Sequence, residues 1–298
     1  GKMKEIAVVS GKGGTGKTSL VAALASLVPN KVLVDCDVDA ADLHLVLRPE
    51  VFTETEFIGG NKARIVDDLC TGCGICVDRC RYEAIALPTA PGMPPRIQPI
   101  FCEGCRVCVR ACPVEAILFE PVVSGRWFVS ATPYGKLVHA ELGIAQGNSG
   151  KLVSVLREES RRIAEQEHLD FILLDGPPGT GCPVIASITG VDLVLAVTEP
   201  PLSGRHDLLR VRELTAHFGI PTMVCINKWD INPERTTAIE AEAAAHGILS
   251  AGRIRYDRCV TEAQIRKTNV LDRTNREITG DITAVYRRVV KALNEPGP

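Results

Sequence analysis

Two rhythms of apolar and polar positions follow one another along most of the chain. Short runs dominated by apolar residues, at 5–9, 32–35, 171–175, 193–198 and 223–227, read as strands. Between them, runs with apolar positions three and four apart, at 20–27, 149–167, 205–218 and 233–246, read as helices. Asn232-Pro233 marks a helix start, because Asn caps the first turn and Pro fits inside it. Strands of nearly continuous apolar character need cover on both sides, which predicts an α/β fold with a mostly parallel sheet and helices on both faces. A last amphipathic helix over about residues 281–293 lines up Ile282, Val285, Val289, Val290 and Leu293. No Trp or Phe anchors that face to a membrane, so it is expected to dock onto its own domain.

The rhythm breaks between about residues 58 and 119, where a Cys-rich segment is split by a proline-rich stretch at 88–95 that forbids a helix or a central strand. Residues before 58 supply only two core strands, so neither flank is a complete domain. The expected organisation is one discontinuous domain, 1–57 and 120–298, with residues 58–119 inserted as a small α+β domain.

Composition narrows the classes. With 45% hydrophobic and 23% charged residues, 298 residues make a globular chain of one large or two ordinary domains. Lys+Arg at 34 against Asp+Glu at 36 gives no global case for nucleic acid, which is not expected as a partner. No apolar run approaches the roughly 18 residues of a membrane span, so stable membrane insertion is not expected and the location is expected to be cytoplasmic.

Twelve cysteines change the picture, because eight of them lie between Cys70 and Cys112. A secreted disulfide scaffold is normally short and carries a signal peptide, so metal or cluster ligation is the better reading. The runs are Cys70-x2-Cys73-x2-Cys76-x3-Cys80 and Cys102-x2-Cys105-x2-Cys108-x3-Cys112-Pro113. Two copies of this spacing resemble a bacterial two-cluster ferredoxin, in which each run gives three thiolates to one 4Fe-4S cluster and its fourth to the other. The resemblance implies Cys70, Cys73, Cys76 and Cys112 around one cluster, and Cys102, Cys105, Cys108 and Cys80 around the other. Gly72, Gly74 and Gly104 let the backbone wrap close to the sulfides. Zinc also uses C-x2-C pairs, but the third and fourth cysteines of each run overfill a zinc site. Arg81 stands where the ferredoxin pattern has Pro after the fourth cysteine. Cys36 and Cys225, in strands, read as small buried hydrophobes.

Residues 11–18, GKGGTGKT, follow a strand and open a helix, which is the setting of a phosphate-binding P-loop. Gly11, Gly13, Gly14, Thr15 and Gly16 turn successive amides inward, and Ser19 continues the loop into the helix. Lys17 meets the β/γ oxygens and Thr18 ligates Mg²⁺. The early Lys12 makes this loop resemble the deviant Walker A motif of the MinD/ParA/nitrogenase-iron-protein family of ATPases. The resemblance implies that Lys12 reaches a partner's phosphates across an ATP-bound dimer, that Asp37 orients the attacking water and that Asp35 lies near the Mg²⁺ shell. Residues 172–179, ILLDGPPG, look like the family's Walker B and second switch, closest to the Mrp/Nbp-type cluster carriers. Asp175 would hold a Mg²⁺-bound water, and the Gly179 backbone would sense the γ-phosphate. Asn227-Lys228-Trp229-Asp230 superficially matches the guanine-reading motif of GTPases, while in the deviant Walker family the Asn meets adenine. Cys182 follows the second switch, close to where a dimer partner would sit, and the C-terminal C-x2-C pair of the carriers is missing.

The expected function is a Mg²⁺-dependent, ATP-driven ATPase with two 4Fe-4S clusters, slow until a partner stimulates it. It would dimerise with itself or a paralogue and gate electron or cluster delivery to an unidentified redox or cluster-accepting protein. The other class is a positioning or partitioning ATPase like MinD or ParA, with structural or redox-sensing clusters. The insert carries seven Lys/Arg and six Asp/Glu, so charge does not name its partner.

Overall fold

A computed structural model describes residues 3–87, 93–143, 147–272 and 276–295. Of the proline-rich stretch, residues 88–92 lie outside the described residues. The chain separates into two compact units, one of residues 1–55, 127–141 and 149–298, the other of residues 56–126 and 142–148.

In the larger unit the strands are β1 (Lys4–Ser10), β2 (Lys31–Asp35), β7 (Gly135–Leu142), β8 (Phe171–Pro178), β9 (Leu193–Thr198), β10 (Thr222–Asn227) and β11 (Leu249–Ile254). They lie in the order β11-β10-β9-β1-β8-β2-β7, and each neighbouring pair in this run is parallel. The sheet continues to β6 (Ile117–Thr132) and β3 (Glu50–Ile65), whose residues fall partly in each unit. Only Pro133 and Tyr134 separate β6 from β7, a connection that admits only an antiparallel pair. The mostly parallel α/β sheet read from the sequence is therefore present, with an antiparallel extension at one edge.

Period-2 alternation along β1 sorts the helices onto two faces. Ile6 and Val8 belong to a core with Leu20, Val21 and Leu24 of α1 (Lys17–Leu27) and Ile278, Ile282, Val285, Val289 and Leu293 of α10 (Arg276–Asn294). Glu5 points the other way, where its buried carboxylate accepts hydrogen bonds from Arg157 and Arg161 of α5 (Ser149–Gln166). Arg157 also donates to the Ala186 and Thr189 carbonyls at the end of α6 (Cys182–Ile188), closing its last turn. Among the described residues no helix is long and apolar enough to cross a membrane.

Three boundaries differ from the sequence reading. Strand β3 runs on to Ile65 through the expected break at 58, because only Phe57, Gly59 and Ala63 of its middle face inward enough to add signal. Helix α10 starts at Arg276 rather than about 281, since Ile278 is fully buried and extends the apolar stripe past Gly280. The helix expected from 205 is α7 (Leu202–His217).

The smaller unit contains α3 (Ile75–Arg79), α4 (Val107–Ala111) and the antiparallel pair β4 (Ile85–Ala86) and β5 (Arg96–Ile97). Its core is Ala63, Cys76, Ile85, Cys108 and Ile117. The backbone repeats itself at the spacing that separates Cys70 from Cys102. Left-handed residues Gly72, Gly74 and Glu83 recur as Gly104, Arg106 and Glu115. Gly104 is required by close approach as well, since a Cβ there would lie 2.3 Å from the Asn61 carbonyl oxygen.

Candidate functional site: a phosphate loop, an acidic cluster and two cysteine sets

Parallel strands deliver their chemistry at their carboxyl ends, where α/β sheets bind ligands. Ser10 ends β1, Asp35 ends β2, Asp175 lies near the end of β8 and Asn227 ends β10. Beyond these ends lies an open pocket of about 460 Å³ lined by Gly13, Gly14, Thr15, Gly16, Lys17, Thr18, Ser19 and Asp37, with Asn227 opposite. Gly14 and Gly16 are left-handed, which turns the amides ahead of α1 toward the pocket. Gly16 caps α1 with no side-chain bond to its first amides, and a Cβ there would lie 2.4 Å from Asn227 Nδ2. Thr15 Oγ1 is buried without a partner, as expected of a cradle built for an anion.

Lys17 and Asp175 form a buried ion pair, 6% and 1% exposed. Burial works against the Lys17 ammonium, but Asp175, with Asp35 and Asp37 behind it, outweighs that and raises its pKa. Asp35 and Asp175 stand in register on adjacent strands. Burial first, and the neighbouring Asp175 second, hold the Asp35 carboxyl well above the ordinary range. The Asp35 oxygens accept from the amides of Asp37, at 3.1 Å, and Leu43, at 3.2 Å, so Asp35 ties down the loop that carries Asp37. Asp37 itself is half-buried, its pKa pushed up to about 6, mainly by burial. Asp175 Oδ2 has no partner. Two buried carboxylates, one oxygen unsatisfied and a hydroxyl at Thr18 are a donor set suited to a hard, oxygen-liganded cation such as Mg²⁺.

Other residues expected at the site take different places. Gly11 and Lys12 are not in the pocket lining. A Cβ at Gly11 would lie 2.2 Å from Asp207 Cβ of α7, so glycine there serves helix packing, and the Lys12 carbonyl accepts from Ser10 Oγ at 2.7 Å. Gly179, left-handed, donates its amide to the Ser10 carbonyl at 2.8 Å, joining the second switch to the P-loop. Asn227 spends its amide on the protein: Nδ2 donates to the Thr15 carbonyl at 2.8 Å and Oδ1 accepts from the Lys228 amide at 3.0 Å. Asp230 Oδ1 accepts from the Tyr256 amide at 2.7 Å, so this carboxylate fastens a loop.

Sequence reasoning missed that loop. Arg255, Tyr256 and Asp257, between β11 and α9 (Arg258–Ile265), line the far side of the pocket with Val260, Thr261 and Gln264 of α9. Asp257 caps α9 by accepting from the Cys259 amide, and Gln264 donates to Ser19 Oγ at 2.7 Å. The available signal was Asp257 before a helix-compatible run, a helix start of the same kind as Asn232-Pro233.

The cysteines fall into two sets of four in the smaller unit. One small cavity is lined by Cys70, Cys73, Cys76 and Cys112, another by Cys80, Cys102, Cys105 and Cys108. Each set takes three members from one run and one from the other. Burial raises the Cys76 thiol, and pushes Cys108 up to about 11, while the Ala116 amide donates to Cys112 Sγ at 3.3 Å. Among the described residues no three His, Cys, Asp or Glu side chains converge on a single metal ion. Among the described residues no disulfide links the cysteines, with Cys36 and Cys225 fully buried and Cys182 exposed at the start of α6.

Residues 6–270 match the CobQ/CobB/MinD/ParA nucleotide binding domain family. The chain is 36% identical to the uncharacterized protein MJ0578 of Methanocaldococcus jannaschii over 78% of its own length and 80% of the relative's. It is 26% identical to the uncharacterized protein MJ0579 of the same organism, over 78% and 82%. Among solved structures it resembles the septum site-determining protein MinD of Pyrococcus horikoshii, complexed with Mg-ADP, with a TM-score of 0.59, 17% identity and 98% of each chain covered. It also resembles the MinC:MinD cell division complex of Aquifex aeolicus, with a TM-score of 0.58, 19% identity and 99% and 97% covered. At these identities the likeness to solved structures establishes the fold alone.

Proposed function

The chain belongs to the CobQ/CobB/MinD/ParA family of nucleotide-binding domains, and from that premise we propose that it is a Mg²⁺-dependent ATPase whose ATP-bound form dimerises. The observation that carries the nucleotide reading is the buried Lys17–Asp175 pair beneath a P-loop whose Thr15 hydroxyl and Asp175 oxygen lack partners. In this reading Gly13 to Ser19 hold the phosphates, Lys17 turns to the β/γ oxygens and Thr18 and Asp175 hold the ion, with Asp35 beside them. Asp37 orients the water, Gly179 follows the γ-phosphate, and Lys12 acts at the dimer face. Asn227 braces the base side of the pocket through its bond to Thr15, and the bond from the Tyr256 amide to Asp230 Oδ1 supports ATP over GTP by tying that carboxylate to the protein.

We further propose that the smaller unit is a two-cluster ferredoxin module and that the ATPase gates electron or cluster delivery to a partner. Two cavities, each ringed by four cysteines drawn three and one from the two runs, support it. When bound, the clusters would supply one-electron chemistry. A second reading is favoured by the likeness to MinD structures: a positioning ATPase in which the cysteine unit stabilises or senses redox state.

Anaerobically purified protein is expected to carry about eight iron and eight acid-labile sulfide per chain. With ATP, Asp37→Asn is expected to run as a dimer and Lys12→Ala as a monomer at equal concentration. Stoichiometric zinc without sulfide refutes the module. An ATP-driven dimer indifferent to oxidation or removal of the iron moves the assignment to positioning.

A further inference from the structure

The internal repeat of the smaller unit allows its two cysteine sets to be compared position by position, and their linings differ in charge. Around Cys70, Cys73, Cys76 and Cys112 the lining residues include Thr71, Gly74 and Val114, and none of them is charged. At the repeat-equivalent positions around Cys80, Cys102, Cys105 and Cys108 stand Glu103, Arg106 and Tyr82, joined by Arg79, whose counterpart is Ala111. The first lining therefore carries no formal charge and the second carries two cations and one anion.

Arg106 is placed there against local preference. The equivalent Gly74 has φ 76°, and Arg106 adopts φ 64°, a left-handed conformation that costs a residue with a Cβ roughly 1 kcal/mol or more. Its guanidinium carbon lies 5.5 Å from the centre of the Phe119 ring, a cation–π contact that fixes the side chain of this lining residue. A non-glycine residue kept at a position where the same chain uses glycine elsewhere points to a use for its side chain.

We propose that Arg79 and Arg106 make the Cys80/Cys102/Cys105/Cys108 site the higher-potential of the two, so that a single electron entering the unit settles there. The inference rests on the cluster reading above. Reduction adds one negative charge to a cluster already negative through its four thiolates, and a nearby cation stabilises the reduced form more than the oxidised one. Transfer between the sites is balanced within the unit: one electron leaves the uncharged site and enters the cationic one.

The test is a potentiometric titration of the anaerobic holoprotein followed by electron paramagnetic resonance, with iron and sulfide measured on the same samples. The wild type is expected to show two couples. Arg79→Ala with Arg106→Gly, which copies the other repeat, is expected to lower the higher couple by about tenfold in its reduction constant, about 59 mV for one electron, and leave the lower one in place. Gly74→Arg is expected to raise the lower couple and leave the higher one. Eight iron per chain with coincident wild-type potentials, or variants that move both couples together, overturns this inference alone. A chain that takes up no iron and sulfide overturns the cluster reading and the inference with it.

Discussion

Replacing Lys17 by alanine is expected to destabilise the nucleotide-free protein as well as abolish ATP binding. Lys17 is the cation paired with Asp175, and Asp35 stands beside Asp175 on the adjacent strand. Both aspartates are 1% exposed, and one Asp175 oxygen already lacks a partner, so water cannot replace the ammonium. Removing one member of a buried pair costs about 3–5 kcal/mol, and two buried carboxylates place this case near the middle or above, at about 4 kcal/mol. At a urea dependence of about 3 kcal/mol/M the unfolding midpoint falls by about 1.3 M. The cost depends on pH. Burial and Asp175 raise the Asp35 pKa while Lys17 lowers it, so removing Lys17 raises it further above 3.8. A carboxyl whose folded pKa is raised contributes stability at low pH and loses it as pH rises through the folded value, so the Lys17→Ala cost should be larger at pH 8 than at pH 5. Lys17→Met with Asp175→Leu should recover most of the loss, because an apolar pair of similar volume needs no counter-ion. Urea titrations of the three proteins at both pH values decide it. A Lys17→Ala midpoint within about 0.3 M of wild type at pH 8, equivalent to about 1 kcal/mol, or a cost that grows toward pH 5, refutes the reasoning.

Two further outcomes follow from other buried or anchoring groups. His139 stacks on Phe128 and His44 and shares a 2.9 Å hydrogen bond with Ser130. Burial, then His44, lowers its pKa from 6.5 to about 4, so the unfolded chain binds the extra proton first and stability is lost as pH falls through that window, by about 3 kcal/mol. Denaturation of His139→Asn across pH 7 to 4 should show a shallower loss, and an unchanged slope would exclude His139 as the cause. Asp230→Ala releases the Tyr256 amide and should weaken ATP binding about tenfold, the lower end for a hydrogen bond to a charged group, without admitting GTP. Calorimetric titration with both nucleotides measures it, and GTP binding by the wild type that Asp230→Ala removes would show that Asp230 does read guanine.

Much of the larger unit was legible because its signals are local. Five strands buried on both faces, the glycine pattern of residues 11–18 and the aspartates at strand ends each lie within a few consecutive residues. The strands read poorly were those with weak local signals. Strand β3 buries few of its sixteen residues, β6 and β7 lie beyond the cysteines, and the loop lining the far side of the pocket follows β11, which no periodicity announced. Fine boundaries also escaped, as at Ile278, because a single glycine interrupts the apolar stripe without interrupting the helix.

Residue type and short spacing suffice for the kinds of group present: a P-loop, carboxylates at strand ends and two four-cysteine runs. What those groups do to one another depends on the folded chain. Lys17 and Asp175 are 158 positions apart and meet because β1 and β8 are neighbours in the sheet. Asn227 reaches Thr15 across 212 positions, and Gly11 faces Asp207 rather than open space. The charge difference between the two cysteine sets likewise required folding, because Arg79 and Cys80 come from the first run and line the cavity of the second. Burial, register and close approach are properties of surfaces brought together, and no spacing along one chain encodes which surfaces will meet.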